Sequence, residues 1–198
     1  MQRTLAGEVA DLGGDGRSDY LRLIPGERTL TVVNIDPKAK PDITADLEAP
    51  LPLPDARYDG VLLINVLEHI YRYRELLGES RRILKPGGTV LIVVPYLLPY
   101  HPSPDDFHRW SGPALRRTLE EAGFSDISVE PLGSGVYAAR YLLIERLFPG
   151  ALQSLLGIVF HPLVRLVDGA FAALAQALGK QYRPGDYALG FIATARPA

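Results

Sequence analysis

Two acids and a glycine-rich turn near the start of the chain have the types and spacing of a nucleotide-binding site. Asp11 ends a short apolar run, Gly13 and Gly14 follow it, and Asp36 ends the next apolar run. Glycines at such a turn adopt positive φ and let a ligand approach the backbone, while an acid about 20 residues further on accepts hydrogen bonds from ribose hydroxyls. The pattern therefore predicts that this part of the chain binds a nucleotide cofactor.

A second set of reactive side chains lies in the polar, proline-rich segment at residues 96–110. Three of them, His101, His108 and Asp105, are able to take a proton from an acceptor hydroxyl or amine. We predict that one of them is the general base, with the two histidines ranked ahead of the aspartate. The same side chains are types that ligate metals, but spacing in an irregular loop does not favour a site, and no bound metal is predicted.

The other side chains of this segment have a functional and a structural interpretation. In the functional one, which we favour, Tyr96, Arg109 and Trp110 belong to a lid over the acceptor substrate. In the structural one, Arg109 makes a salt bridge with Asp106, and Trp110 packs as an anchor. The neighbouring pair Glu68-His69 is interpreted as the polar start of a helix rather than as a catalytic pair.

Hydrophobic patterning predicts the scaffold that would hold these side chains. Apolar runs typical of strands end at residues 11 and 36 and recur at 43–47, 58–65, 89–95, 127–130 and 187–195. Helical patterns lie at 18–23, 70–84 and 111–122, with a helix stop and turn at 85–88. This alternation predicts an α/β fold with a parallel sheet and helices on both faces, in which ligands bind beyond the carboxyl ends of the strands.

Composition narrows the class of protein. A chain of 198 residues, with 47% apolar and 22% charged residues, is typical of a single globular domain, here residues 1–198. The net charge of −2 gives no reason to expect nucleic acid as a partner. The absence of cysteine excludes disulfides and thiolate chemistry. With no secretory signal and no uncharged apolar run of ~18 residues, the predicted location is the cytoplasm.

Residues 136–180 do not fit the alternating scheme. Between Phe148 and Gly179 the only charged residues are Arg165 and Asp168, so the segment is predicted to form an apolar helical insertion. Four explanations stay open: cover for a thinly covered sheet face, a homodimer interface, peripheral membrane contact, or a wall for an apolar substrate. Helices on a membrane surface usually carry lysines and arginines, which argues against the third.

Several motifs, taken in order, resemble those of the class I S-adenosylmethionine-dependent methyltransferases. They are Asp11-Leu-Gly13, Asp36, Leu53–Asp59, Asn65-Val-Leu-Glu68-His69, Arg82-Ile-Leu-Lys-Pro-Gly-Gly88 and Ala122-Gly-Phe124. The resemblance implies S-adenosyl-L-methionine as the cofactor and a three-layer Rossmann-like fold. Its seven-stranded, mostly parallel sheet would have the order 3-2-1-4-5-7-6, with an antiparallel last strand and the insertion at 136–180 between strands 6 and 7.

The resemblance assigns the cofactor to residues that follow the first four strands. They are Asp11, Gly13 and Gly14 of the glycine turn, with Gly13 at the methionine part, Asp36 at the ribose, Asp46 and Leu47 at the adenine, and Asn65 at the amino-acid end. A carboxylate is a strong acceptor for a pair of ribose hydroxyls, in agreement with the role of Asp36. The implied activity is methyl transfer to a small-molecule, glycan or lipid-linked acceptor.

The glycine turn departs from the family pattern acid-x-Gly-x-Gly-x-Gly. Asp15 and Arg17 occupy the last two glycine places, although a shift of one residue would let Gly14 and Gly16 serve instead. The alternative function is therefore a methyltransferase-like fold that acts as a non-catalytic binding partner or a membrane-associated protein. A nicotinamide-dependent oxidoreductase could use the same turn, but Asp19 stands at its third glycine place.

Overall fold

The computed structural model describes residues 5–15, 19–133, 135–145 and 149–198. The strands are β1 (Gly7–Leu12), β2 (Arg28–Asn34), β3 (Ile43–Thr44), β4 (Tyr58–Ile64), β5 (Leu84–Pro95), β6 (Phe124–Leu132) and β7 (Gly190–Pro197). The helices are α1 (Tyr20–Leu23), α2 (Tyr73–Ile83), α3 (Gly112–Glu121), α4 (Val136–Glu145) and α5 (Gly150–Ala177). Gly16 and Arg17 of the glycine turn, and residues 146–148 of the predicted insertion, lie outside the described residues.

The strands form one mixed sheet in the order β3-β2-β1-β4-β5-β7-β6, which confirms the predicted α/β fold. β1 pairs in parallel with β2 and with β4, β2 pairs in parallel with β3, and β4 with β5. Parallel pairing brings the carboxyl ends of these five strands to the same edge of the sheet. The segments that follow β1, β2, β3 and β4 carry the predicted cofactor residues.

The centre of the sheet is buried on both faces. Val9, Leu62 and Leu91 of neighbouring strands form a buried cluster with Ile24 on one face. Because side chains alternate along a strand, Val61 points to the opposite face, and it too is fully buried. Burial on both sides explains why β4 is a nearly continuous apolar run instead of an alternating one.

The helices begin and end where the sequence indicates. α1 stops shortly before Pro25, because the residue preceding a proline is disfavoured in helical conformation. At the start of α3, the hydroxyl of Ser111 accepts a hydrogen bond from the backbone N–H of Ala114 at 3.4 Å. The helix ends before Gly123, whose φ of +81° is the left-handed conformation typical of a C-terminal cap.

The turn predicted at Lys85-Pro86-Gly87-Gly88 lies inside β5 instead of ahead of it. Tyr58 of β4 pairs with Leu84, but Gly60 pairs with Thr89, so several residues of β5 stand opposite one residue of β4. The extra residues form an irregularity in the ladder, and Gly87 provides the positive φ of +78° that it needs. The predicted third strand is also shorter than expected, since β3 contains two residues.

The chain divides into two compact units. The first contains residues up to 94, 101–130 and 192–198, and the second contains residues 95–100 and 131–191. In the second unit, the carboxylate of Asp168 accepts hydrogen bonds from the backbone N–H groups of Tyr137 and Ala138, at 3.0 and 2.9 Å. These groups belong to the first turn of α4 and have no partner within the helix, so a side chain of α5 caps it.

Helix α5 exposes apolar side chains. The exposed fraction is 70% for Leu166, 58% for Leu174 and 67% for Leu178, which follows directly after the helix. Within the described part of the chain, none of the helices has the length and apolar character that crossing a membrane requires. The helices lie where an insertion at 136–180 was predicted, and the assignment of residues 1–198 to one domain stays a prediction.

Candidate active site

The glycine turn after β1 is held in place by its neighbours. Gly13 has a φ of +86° and donates its backbone N–H to the carbonyl of Val33 at 2.7 Å. The side-chain amide of Asn34 donates to the carbonyls of Gly13 and Gly14, at 3.0 and 2.9 Å. A side chain at position 14 would overlap the carboxylate of Asp11. Glycine is therefore required by conformation at one position and by space at the next.

The carboxylate of Asp11 lies directly against Gly14 of the turn. Its side chain is fully buried, and one carboxylate oxygen accepts a hydrogen bond from the hydroxyl of Tyr20 at 2.6 Å. Among the described residues, the other oxygen has no hydrogen-bond partner. Burial raises the pKa of Asp11 to about 6, against the hydrogen bond from Tyr20, which lowers it. The exposed carboxylate of Asp15 raises it slightly further.

Asp36 follows β2 in an extended conformation and is exposed. Its backbone N–H donates to the side-chain oxygen of Asn34 at 2.9 Å, and its carboxylate accepts from the N–H of Lys38 at 2.9 Å. The first bond fixes the aspartate relative to the glycine turn, because the same asparagine also holds Gly13. The second orients the carboxylate.

A cavity of about 640 Å³ lies at the carboxyl ends of the strands. Five of the predicted cofactor residues line it, namely Gly13, Asp36, Asp46, Leu47 and Asn65. The other side is lined by residues that follow β4 and by part of the polar segment, including His69, Tyr71, Asp105 and Phe107. The structure thus brings the predicted cofactor residues and part of the predicted lid to one cavity. Asp11 and Gly14 do not line it.

Asn65 begins the wall between the two sides. It has a φ of +52°, which asparagine tolerates better than most residues, and its N–H donates to the carbonyl of Val93 at 2.9 Å. A single turn of 3₁₀ helix, Leu67–His69, follows directly. This turn places Glu68 inward and His69 toward the cavity.

Glu68 is a fully buried carboxylate with a histidine on each side. Its oxygen Oε1 lies 3.8 Å from Nε2 of His69 and 3.6 Å from Nε2 of His101. In the described part of the chain neither of its oxygens has a hydrogen-bond partner, and burial raises the pKa of Glu68 above its ordinary value. The two imidazole rings are nearly perpendicular, with centroids 5.4 Å apart.

The polar segment is attached to this turn through its backbone. The N–H groups of Phe107 and His108 donate to the carbonyl of Glu68, at 2.7 and 3.3 Å. The ring nitrogen Nδ1 of His69 lies 2.6 Å from the carbonyl of Asp105. Residues 105–108 are therefore fixed to the 3₁₀ turn by three contacts, which explains why Asp105 and Phe107 line the cavity.

Arg109 and Asp106 form the salt bridge of the structural interpretation. The guanidinium donates two hydrogen bonds to the two carboxylate oxygens, and the carboxylate also accepts from the N–H of His101 at 3.0 Å. These bonds hold the pKa of Asp106 well below its usual range. The ring nitrogen Nδ1 of His101 lies 3.5 Å from both Oδ2 of Asp106 and Nη2 of Arg109.

The other predicted lid residues have packing contacts. Trp110 is buried, and its ring contacts Tyr73 edge to face at 5.3 Å. His108 lies between them, with its Nε2 3.3 Å from the carbonyl of Tyr71. Tyr96 belongs to the second unit, where its ring packs on Phe191 at 5.5 Å. Neither His101, His108, Arg109 nor Trp110 is among the described residues that line the cavity.

The role of Glu68 was not predicted. The sequence placed Glu68-His69 at a helix start, whereas the structure buries the acid and points it at two histidines 32 residues apart in the chain. The second histidine could not be paired with it from local spacing.

Comparison with known proteins assigns the part of the chain that builds this cavity to a protein family. A family model described as a methyltransferase domain matches residues 3–129. A probable S-adenosylmethionine-dependent methyltransferase from Mycolicibacterium smegmatis is 37% identical over 82 residues, which are 38% of this chain and 32% of the relative. The chain thus spans about a third of the length of the curated relatives it matches.

Solved structures show the same fold over nearly the whole chain. An S-adenosylmethionine-dependent methyltransferase from Archaeoglobus fulgidus has a TM-score of 0.60 and 19% identity, covering 98% of this chain and 87% of its own. The [4+2]-cyclase SpnF has a TM-score of 0.61 and 20% identity, covering 98% and 78%. At this level of identity the likeness describes the fold.

Proposed function

The chain belongs to the class I S-adenosylmethionine-dependent methyltransferases, and we propose that it transfers a methyl group from this cofactor to a small-molecule acceptor. One observation carries the proposal. The cavity of about 640 Å³ joins the glycine turn and Asp36 on one side to His69 and Asp105 on the other. Its size is within the range of roughly 300–1,000 Å³ that small-molecule sites have.

The residues on the first side fit the cofactor family. The backbone of Gly13 faces the cavity without a side chain, which suits close approach by the methionine part. The exposed carboxylate of Asp36 offers acceptors for the two ribose hydroxyls. Leu47, which is mostly buried, offers an apolar surface to the adenine, with Asp46 beside it. Asn65 would hold the amino-acid end through its backbone.

The cofactor supplies a methyl group already activated on a sulfonium. The protein then has to align the acceptor and exclude water, an effect worth up to roughly 7–11 kcal/mol when the geometry is good. An acceptor hydroxyl or amine also has to lose a proton. Of the three predicted bases, Asp105 lines the cavity, so it is the one whose position supports the role best. The roles of His101 and His108 stay predictions.

The same cavity supports a proposal for the acceptor class. The cofactor would fill much of it, and the remaining part borders Tyr71 and Phe107, two aromatic rings 5.4 Å apart. This supports a small acceptor with an apolar or planar part. Glycan and lipid-linked acceptors, which the sequence left open, would have to place their larger part outside. A cytoplasmic location remains our expectation.

Titration of S-adenosylhomocysteine by calorimetry tests the proposal. The unchanged protein is expected to bind one equivalent, and Asp36→Ala to abolish measurable binding, because the ribose loses its anionic acceptor. Glu120→Ala on exposed α3 removes the same charge away from the cavity and should bind normally. If Asp36→Ala binds as tightly as the unchanged protein, the cofactor site is assigned wrongly.

A second candidate is a binding protein without methyl transfer. Asp15, exposed at a place where the family has glycine, is the observation that favours it. The SpnF structure, named for a cyclase reaction, shows a similar fold under another activity name. Thermal shift separates the candidates, because a ligand that binds the folded state raises the melting temperature. No shift with S-adenosylmethionine or S-adenosylhomocysteine would favour the second.

The exposed leucines of α5 support a separate proposal for partners. We propose that residues 136–180 contact a second copy of the chain or lie on a membrane surface, since no helix in the described part of the chain could cross a membrane. Light scattering with Leu166→Gln and Leu174→Gln tests the first, since both variants should shift a dimer to monomer. Flotation with anionic liposomes tests the second. A monomer that stays in the bottom fraction would contradict both.

A further inference from the structure

We propose that Glu68, His69 and His101 bind a divalent transition-metal ion of the zinc type at the edge of the cavity. The three side chains each present one ligand atom, and these atoms all lie within 4.8 Å of one another. Two imidazole nitrogens and one carboxylate oxygen are a ligand set that zinc uses with a further position left open. No bound metal was predicted from the sequence, where the side chains considered as ligands were His101, Asp105 and His108.

The distances suit a metal ion better than direct hydrogen bonds. Oε1 of Glu68 lies 3.6 and 3.8 Å from the two Nε2 atoms, beyond the range of an N–H···O bond. Ligands bound to zinc at about 2.0–2.2 Å in a tetrahedron are themselves roughly 3.3–3.5 Å apart. The two oxygen–nitrogen distances would need to shorten by only a few tenths of an ångström, and the two histidine nitrogens, which lie within 4.8 Å of each other, would move together around the ion.

The hydrogen bond on the far side of His69 fixes which nitrogen faces the cluster. A carbonyl oxygen only accepts, so Nδ1 of His69 carries the proton that it donates to Asp105 at 2.6 Å. In the neutral ring, Nε2 then presents a lone pair toward Glu68. Two acceptors that face each other need a proton or a metal cation between them, and 3.8 Å is too long for a hydrogen bond through a shared proton. Metal-ligating histidines usually donate their other N–H in this way.

The other ring nitrogen of His101 has longer contacts. Its Nδ1 lies 3.5 Å from both Oδ2 of Asp106 and Nη2 of Arg109, and the carboxylate of Asp106 is fixed by Arg109 and by the backbone N–H of His101. A proton on Nδ1 that points to this carboxylate is the arrangement in which Nε2 acts as a metal ligand. Carboxylates in this position orient ligating histidines. The salt bridge that the sequence offered as a structural alternative would therefore also position a ligand.

Glu68 supplies the independent evidence. It is fully buried, and neither of its carboxylate oxygens has a hydrogen-bond partner among the described residues. Buried polar atoms are normally satisfied, and an exception requires an explanation. A cation bound by Oε1 satisfies the carboxylate and compensates its charge in one step. Exposed carboxylates of an ordinary surface salt bridge need no such partner, because water donates hydrogen bonds to them.

The ion would lie next to the place proposed for the acceptor. His69 is both a proposed ligand and part of the cavity lining, beside Asp105. The open position could thus bind an oxygen of the acceptor and lower its pKa. This last step rests on the proposed methyl transfer, whereas metal binding itself does not.

Metal binding is tested on tag-free, chelator-treated protein without S-adenosylmethionine. Competition with a chromophoric chelator should show one equivalent of Zn²⁺, and Co²⁺ should give the visible absorption of a low-coordinate site. His69→Ala and His101→Ala should each weaken Zn²⁺ binding by at least about 100-fold, since even second-shell changes cost 10–100-fold. Glu68→Gln should weaken it similarly.

His108→Ala is the matched control, because this histidine contacts the carbonyl of Tyr71 instead of the cluster. It should bind Zn²⁺ like the unchanged protein. Circular dichroism checks each fold, and the two histidine variants carry the test if Glu68→Gln does not fold. Absence of one-equivalent binding in the unchanged protein, or equal binding by His101→Ala, would overturn the metal site. Neither result affects S-adenosylhomocysteine binding, which is measured separately.

Discussion

Two regions at the same edge of the sheet are built in different ways. The proposed cofactor side is the part of the cavity wall formed by Gly13, Asp36, Asp46, Leu47 and Asn65, in short segments that follow strands. Gly13 and Asn65 have left-handed backbone conformations there. The charged region is formed by Glu68, His69, His101, Asp106 and Arg109, which come from segments far apart in the chain. Nδ1 of His69, for example, contacts the carbonyl of Asp105, 36 residues later. One region depends on backbone shape, and the other on two almost completely buried carboxylates, Glu68 and Asp106.

This difference predicts two ways to fail. A change of backbone shape on the cofactor side should lose ligand affinity, because the cavity wall itself moves. A change of charge around Glu68 and Asp106 should lose folding free energy or metal binding, because a buried charge is left without its partner. The two regions would not be separate if a substitution on the cofactor side lowered mainly the free energy of unfolding, or one in the charged region lowered mainly the affinity for the cofactor.

Gly13→Ala is expected to have the largest effect. A Cβ atom at this position would lie 2.7 Å from a methyl group of Val66, at a φ of +86° that alanine avoids. The left-handed conformation costs about 1–2 kcal/mol, and the displaced Val66 belongs to the cavity wall. We expect affinity for S-adenosylhomocysteine to fall by roughly 100-fold or more in calorimetry.

Gly78→Ala is the control for this substitution. Gly78 lies in the middle of α2, and an added Cβ there meets nothing within 4 Å. Alanine should stabilise the helix by roughly 0.5–1 kcal/mol without changing ligand affinity. Equal affinity of Gly13→Ala and Gly78→Ala would show that the turn does not shape the cofactor site.

Arg109→Ala tests the charged region. The side chain of Asp106 is 1% exposed, so removing the guanidinium leaves a buried carboxylate that accepts from the backbone N–H of His101 and lies 3.5 Å from the ring of the same histidine. We expect the free energy of unfolding to fall by about 2–3 kcal/mol, less than for a completely buried pair because Arg109 is itself 26% exposed. Urea denaturation at pH 7 measures it.

Arg117→Ala gives the matched comparison. Arg117 and Glu121 form an (i, i+4) pair on α3, with 81% and 51% of their side chains exposed. Such a pair contributes roughly 0.3–0.5 kcal/mol. A loss as small for Arg109→Ala would mean that solvent already compensates Asp106, and the charged region would then resemble an ordinary surface.

The sequence locates the strand ends and the glycine turn of the proposed cofactor side because its signals are local. Apolar runs that end in Asp11 and Asp36 locate the strand ends, and a glycine after the first run indicates the turn. The parallel pairing then follows from the alternation of strands and helices, and it brings these ends together. Asp15, which stands where the family has glycine, is exposed to solvent.

The charged region is harder to predict because its contacts span the fold. Local spacing suggested His101, Asp105 and His108 as one set, but their backbone conformations turn them apart. Asp105 contributes a carbonyl to His69, His101 reaches Glu68, and His108 packs on Tyr71. No periodicity encodes which of three nearby polar side chains will meet an acid that follows another strand.

Asp11 lies next to the glycine turn of the cofactor side, but it resembles the charged region because its carboxylate is fully buried. Its carboxylate is buried, and its pKa is raised from 3.8 to about 6. In the unfolded chain the group has lost its proton above about pH 4, whereas the folded protein keeps it up to about pH 6. The native state therefore binds more protons between these values, and the stability of the fold decreases as the pH rises through them.

Asp11→Asn removes this titration while keeping the shape of the side chain. Between pH 7 and pH 5, the unchanged protein should gain about 1 kcal/mol of unfolding free energy relative to the variant. Urea denaturation of both proteins at pH 5, 6 and 7 measures the difference, in which all shared titrating groups cancel. A difference that is constant with pH would mean that Asp11 stays solvated enough to keep its ordinary pKa. The glycine turn would then depend on backbone shape alone, and buried charge would be a property of the charged region and not of the cofactor side.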